Sequence, residues 1–141
     1  MTLLTERLVP RLMREEGFRA TPSRDTRGIL TVGYGTNLDD GLSADEAMFL
    51  LEYRINRAVT ECAIAFRWFR GLDPVRQEVL VSLAYQLGIQ GLRTFRRMLG
   101  ALEQRDFVAA AAELEDSALA REDAPARTAR AAAALRVGTW P

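Results

Sequence analysis

The chain has 141 residues and contains neither histidine nor lysine. Without histidine, a Ser-His-Asp or Cys-His engine and a histidine-ligated metal centre are excluded within this chain. Cys62 is the only cysteine, so no internal disulfide can form, which suits a reducing compartment at the time of synthesis. No window approaches the roughly 18 to 20 apolar residues of a membrane helix. Near the N-terminus, Glu6, Arg7, Arg11, Arg14, Glu15 and Glu16 leave no uninterrupted apolar stretch for a secretory signal. A role outside the cytoplasm would therefore need a separate means of delivery. A charge bias is missing too. Nineteen arginines stand against 19 acids, so no strong field points toward nucleic acid or an anionic membrane.

What remains is ordinary soluble material, 48% hydrophobic and 27% charged, long enough for one domain with a real core. A first helix is expected from about Val9 to Glu16, with Pro10 in its first turn and Gly17 as its stop. Whether residues 2–8 add a turn in front is open. Residues 18–35 read as a hairpin or small sheet, with turns at Pro22-Ser23 and Asp25-Thr26-Arg27-Gly28 and strand character in Ile29-Leu30-Thr31-Val32. After a polar loop, Ser43-Ala44-Asp45-Glu46 is a capping box. Ala47, Leu51, Ile55, Val59, Cys62 and Phe66 then mark one face of a long helix. Asp73 caps and Pro74 opens a helix ended by Gly88, with Val75, Val79, Leu80, Leu83 and Leu87 facing inward. Further helices are expected near 92–104, 107–118 (capped by Asp106) and 125–136, with alanine runs that favour helix. The fold class is α+β.

The stretch from Glu16 to Gly35 carries the chemistry. It holds one acid at a helix end, a second acid in a turn, and the Thr31 hydroxyl on the strand that follows. A carboxylate at a helix C-terminus is poorly placed against the helix dipole. A glycosidase needs one carboxylic acid to protonate the leaving oxygen and a second to assist water or attack. The spacing permits that and does not demand it. A solvated Glu16 and an Asp25 that only builds a turn account for the same pattern.

Glu16-x8-Asp25-x5-Thr31, with Gly17 after the glutamate and Gly33-Tyr34-Gly35 after the threonine segment, resembles the phage T4-type lysozymes (glycoside hydrolase family 24). The resemblance continues through Leu42-Ser43-x-Asp45-Glu46-Ala47, Leu72-Asp73-x-Val75-Arg76 and Tyr85-Gln86-Leu87-Gly88. It then takes in Phe95, the segment from Leu114 to Ser117, Pro125-x-Arg127-x-x-Arg130 and Gly138-Thr139-Trp140, nearly the whole chain. It implies a lysozyme-like α+β fold: a small hairpin lobe (about 9–42), a bridging helix (43–67) and a helical lobe (72–141), with a cleft between lobes. Residues 1–8 could pack on the helical lobe.

The implied activity is hydrolysis of the β-1,4 bond between N-acetylmuramic acid and N-acetylglucosamine in peptidoglycan. In that scheme Glu16 is the general acid, Asp25 the base or electrostatic stabiliser, and Thr31 positions water. Inversion is implied, with carboxyls roughly 6.5 to 9.5 Å apart. Tyr85, Gln86, Arg127 and Asn37 are the implied substrate-binding residues; for Tyr85 and Gln86, a core aromatic and a helix-end polar residue fit equally well. No cofactor or metal is implied. The expected partner is bacterial peptidoglycan, with no nucleic acid and no stable membrane binding. The expected setting is a monomer made in the host cytoplasm and released by a holin.

Three departures stand against the family pattern. Thr36 occupies the place where many relatives have histidine, the loop from Asn37 to Gly41 is short, and the chain is neutral where relatives are often basic. Neutrality predicts weak attraction to an anionic wall and a flat salt dependence. A non-catalytic wall-binding or virion module, a virion tail lysozyme, and a lytic transglycosylase remain as alternatives. Arg93, Arg96 and Arg97 form a basic patch that reads as a solvated face or a wall contact. Cys62, Trp68 and Phe69 read as core.

Overall fold

The computed structural model describes residues 2–141. The elements in order are α1 (Leu3–Glu16), β1 (Arg19–Arg24), β2 (Leu30–Gly33), β3 (Thr36–Asn37) and α2 (Ala44–Ala65). They are followed by α3 (Pro74–Arg93), α4 (Arg96–Glu103), α5 (Phe107–Glu115) and α6 (Pro125–Val137). A small antiparallel sheet beside a majority of helix is the α+β class expected from the sequence. The chain divides into two compact units, Met1–Phe49 and Leu50–Pro141, with the boundary inside α2.

In the first unit, the Thr5 N–H donates to Thr2 Oγ1 (3.1 Å), so Thr2 caps α1. The helix therefore starts well before the expected Val9, and Pro10 sits in its interior rather than its first turn. There Pro10 has no N–H to offer the Glu6 carbonyl, at a cost the cap and the helix-favouring Leu3, Leu4, Glu6 and Arg7 help to offset. Gly17 stops the helix as expected, with φ 72 and its N–H on the Met13 carbonyl (3.0 Å).

The sheet has the order β1-β2-β3. Ser23 pairs with Thr31 and Arg24 with Leu30, and the register is irregular between Arg19 and Ser23, where Pro22 has no N–H for a ladder bond. β3 adds the pairs Thr31–Asn37 and Val32–Thr36. Two residues are too few to show alternation, which is why this strand reads as loop in the sequence.

The capping box forms. Ser43 Oγ accepts from the Glu46 N–H (3.2 Å), and Glu46 Oε1 accepts from the Ser43 N–H (3.3 Å). The apolar face of α2 is not buried along its whole length. Ala58 and Cys62 are buried and Phe66 follows them into the core, whereas Leu51 and Ile55 each remain 37% exposed. Cys62 is wholly buried, and burial, then the Glu61 charge, pushes its thiol pKa up to about 11, the signature of an inert core residue.

The second unit is built on α3. Asp73 caps it through the Arg76 N–H (3.3 Å) ahead of Pro74. Val79, Leu80 and Leu83 are buried, while Val75 and Leu87 pack partly buried against them. Gly88 breaks the helix at φ 75, ψ 162, as expected of a stop, but helix resumes at once and runs to Arg93. The helix expected from 92 thus begins only at Arg96. Likewise α5 ends at Glu115 rather than 118, and Leu119–Asp123 forms a π-type turn before Pro125 opens α6. The alanine runs do more than favour helix. Ala110, Ala111, Ala131, Ala132 and Ala134 are buried where α5 and α6 pack together, and their small side chains permit the close approach.

Arg76 ties this unit together. Its Nε donates to the Leu135 carbonyl (2.8 Å), its Nη2 to the Arg136 carbonyl (3.3 Å) and its Nη1 to Asp73 Oδ1 (3.0 Å). The guanidinium carbon lies 3.5 Å from the Phe107 ring centroid. A Cβ on residue 138 would come within 3.1 Å of Arg76 Nη1, so Gly138, at φ 84, is required there on both counts. Arg76→Ala is expected to cost about 3 kcal/mol, since it strands a carboxylate and two carbonyls. Arg76→Lys should recover little of it, because one ammonium cannot reproduce the planar fork. Urea unfolding midpoints of the two variants check this.

Candidate active site

Each unit carries part of the site implied by the sequence. In the first, Glu16 is the last residue of α1, and its carboxylate lies over Gly35 between β2 and β3. A Cβ on residue 35 would stand 2.6 Å from Glu16 Oε2, and the backbone there has φ +75. Glycine at 35 is therefore needed twice: for its backbone angle and for the room that lets the carboxylate sit against the chain. Phe18 and Tyr34, neighbours in sequence of these two positions, pack ring to ring at 5.5 Å and brace the same corner.

Asp25 has two jobs. Its backbone N–H donates to the Ile29 carbonyl (2.9 Å), and its carbonyl accepts from Gly28 (2.9 Å). Its Oδ1 accepts from the N–H groups of Arg27 (2.8 Å) and Ile29 (3.0 Å). Turn building, the blander of the two readings of Asp25, is thus real, yet it occupies one carboxylate oxygen. Oδ2 has only the Arg27 guanidinium, at 4.0 Å. The hydrogen bond from Ile29 is the largest cause holding the carboxyl below the usual 3.8; burial opposes it, and the Arg27 N–H and charge add to it. Asp25 is accordingly an ionised base at any ordinary pH.

Thr31 lies directly across from Ser23 on one side and Asn37 on the other. Residues opposite one another share a face of the sheet, so these three form a cross-strand row. The Thr31 hydroxyl donates to the Ser23 carbonyl (3.4 Å), which leaves its lone pairs able to accept from water. Asn37 Oδ1 accepts from Asp39 (2.9 Å) and Asp40 (3.3 Å), so its carbonyl end builds the next turn and only its NH2 is left for a ligand.

In the second unit, Tyr85 is 42% exposed and lines a cavity of about 530 Å³ with Leu51, Ile55, Val81, Ser82 and Arg127. Arg127, in the first turn of α6, donates through Nη2 to Ser82 Oγ (3.1 Å). Gln86 lines a separate pocket of about 120 Å³ with Arg127, Thr128, Arg130 and Trp140. Arg127 is common to both, and Trp140 is held by a bond from its Nε1 to Glu78 Oε2 (2.7 Å). The sequence reading missed Ser82, Glu78 and Thr128. The first two have partners 45 and 62 residues away, and no local signal could have marked them.

Two substitutions separate geometry from chemistry. Gly35→Ala and Gly41→Ala impose a similar positive φ on alanine (+75 and +76), but nothing lies within 4 Å of a Cβ at 41. Each should lose roughly 1 kcal/mol of stability. Only Gly35→Ala should also lose about 100-fold in activity on cell walls, because Glu16 is displaced by the order of an ångström. Asp25→Asn, which keeps an Oδ1 acceptor for Arg27 and Ile29, should hold the melting temperature near that of the unaltered chain and abolish activity. Asp25→Ala should lower both, as melting and turbidity assays will read.

The sequence profile described as phage lysozyme matches residues 13–130, a span that includes Glu16, Asp25, Thr31, Asn37, Tyr85, Gln86 and Arg127. Among curated proteins, the chain is 21% identical over 158 aligned positions to "Probable T4-type lysozyme 1" of Dictyostelium discoideum, covering 91% of this chain and 92% of that protein. With most of its length inside that profile and an α+β fold, the chain belongs to the phage lysozyme family.

Proposed function

We propose that this chain is a peptidoglycan hydrolase that cuts the β-1,4 bond between N-acetylmuramic acid and N-acetylglucosamine by acid/base catalysis. The observation that carries the reading is Asp25, held ionised by backbone N–H groups on one oxygen while the other stays available. Glu16 donates a proton to the glycosidic oxygen as the C–O bond breaks. A water attacks the anomeric carbon from the opposite face. Asp25 takes up its proton or stabilises the oxocarbenium-like transition state, and Thr31 accepts the water's second hydrogen and orients its lone pair. One protonated acid and one ionised carboxylate are the pairing such a reaction needs. The product inverts at the anomeric centre. Tyr85 offers an aromatic face to a sugar ring, Gln86 an amide to an N-acetyl group, and Arg127 and the Asn37 NH2 further donors.

The setting belongs to the same proposal. The enzyme acts as a monomeric endolysin, made in the host cytoplasm and released to the wall by a separate holin. No helix among the described residues is long and apolar enough to cross a membrane. A rival reading, a non-catalytic wall-binding or virion module, draws on the turn-building by Asp25 and Asn37, which needs no catalysis to explain it.

Purified protein on cell-wall suspensions should clear turbidity and release new reducing ends, and Glu16→Gln should lose at least about 1000-fold. Full clearing by Glu16→Gln would sink the assignment of the acid. Wall binding with no clearing by the unaltered chain would favour the rival, and a 1,6-anhydro product would remove the water-activating role of Asp25. Because the Asp25 pKa is lowered, the base is lost only as pH falls through a value below 3.8. The acid limb of kcat/KM should therefore lie below that value, and Asp25→Glu, which cannot keep both turn bonds, should move it upward.

A further inference from the structure

The neutral chain is not neutral piece by piece. Met1–Phe49 holds six arginines against eight acids and Leu50–Pro141 thirteen against eleven, so the units carry net charges of −2 and +2. Within the second unit, an open groove of about 520 Å³ lies between the chain following α2 and the segment from Arg93 through α4. Arg67, Arg93 and Arg96 line it, with Glu103 as its single acid. Among the described residues none of these arginines makes an ion pair. All three are exposed, and the apolar part of the lining is Phe66 stacked on a half-buried Trp68 (5.2 Å, 24°) together with buried Leu99. The patch legible in sequence thus divides: Arg97 lines a different groove with Glu113, Asp116 and Asp123, Arg96 stands on the rim between the two, and Arg67 joins Arg93 and Arg96 here.

We infer that this groove binds a linear, phosphate-bearing glycan of the bacterial envelope and holds the enzyme to its substrate. Three guanidiniums against one carboxylate call for a ligand with several negative charges, and their planar forks fit phosphate oxygens two at a time. The half-buried Trp68 ring, backed by Phe66 and Leu99, offers a small apolar surface to the C–H faces of a polyol or sugar backbone between phosphates. Single-stranded nucleic acid stacks successive bases on several aromatic faces, and this groove offers only the one half-buried ring of Trp68. The inference rests on the reading of this chain as an envelope-acting enzyme, yet it is tested without catalysis.

The full chain is titrated calorimetrically with deacylated poly(glycerol phosphate) and, separately, with a delipidated, phosphorylated core oligosaccharide. Saturable binding to either supports the site, and the tighter of the two identifies the source. The Arg67→Gln, Arg93→Gln, Arg96→Gln triple variant should bind at least about tenfold more weakly, with a shallower dependence on salt and an unchanged melting temperature, because all three side chains are exposed. Glu16→Gln should bind as well as the unaltered chain. Failure of clearing with binding intact would count against the enzyme alone. Equal binding by the triple variant, no saturation with either polymer, or tighter binding to anionic phospholipid vesicles or a single-stranded oligonucleotide would overturn the inference.

Discussion

The guanidinium of Arg76 is the fixed point of the helical unit. It reaches from the first turn of α3 to the last carbonyls of α6, pairs with the residue that caps its own helix, and covers the Phe107 ring of α5. Three helices are thereby held in register by one planar group that uses all three nitrogens and one face. The placement of α6 follows from it. With the C-terminal end of α6 pinned, its first turn presents Arg127 to Ser82, and the chain beyond Gly138 brings Trp140 to Glu78. The close approach that Gly138 allows is part of the same arrangement, since a side chain there would meet Arg76. The packed alanines of α5 and α6 make this geometry attainable, because bulkier residues would hold those helices apart.

In the smaller unit the economy is different. There is little core to position anything, and the functional groups hold themselves in place through turns. Asp25 spends one oxygen on the turn it begins and keeps the other; Asn37 spends its carbonyl and keeps its NH2; Thr31 spends its proton on Ser23 and keeps its lone pairs. Glu16 is placed by contact with a glycine backbone rather than by a hydrogen bond. In the proposed mechanism, a side chain that also builds a turn has its orientation set before substrate arrives, which is the preorganisation that acid/base catalysis requires. Turn building by Asp25 therefore leaves room for the proposed catalytic role, since the turn bonds fall on Oδ1 and the proposal uses Oδ2.

Charge shows how far an average can mislead. A net charge of zero predicts weak attraction to an anionic wall, but the zero is the sum of an acidic unit and a basic one, and the basic one gathers in a single groove three arginines without an ion pair among the described residues. Screening shortens electrostatic reach to about 8–10 Å at physiological salt, so a ligand in that groove feels the local excess and not the total.

Local chemistry made much of this protein legible from its residues. The capping box at Ser43, the Asp73-Pro74 start, the stops at Gly17 and Gly88 and the turn at Asp25 each depend on residues within four positions of one another, and all appear where expected. The spacing of Glu16, Asp25 and Thr31, in contrast, drew attention only through its resemblance to a family pattern, since these residues lie nine and six positions apart. Helix ends set by competition were not legible: the Thr2 cap and the propensity of the first turn carry α1 through Pro10, and beyond the break at Gly88 a further stretch of helix runs to Arg93. Which half of α2's apolar face is buried, that the alanines form a helix contact, that Arg67 joins Arg93 and Arg96 while Arg97 turns elsewhere, and that Ser82 and Glu78 hold Arg127 and Trp140 were decided only by the tertiary structure. Each of these joins residues distant in the chain, and such contacts leave no periodic or compositional trace; they exist only once packing has brought the segments together.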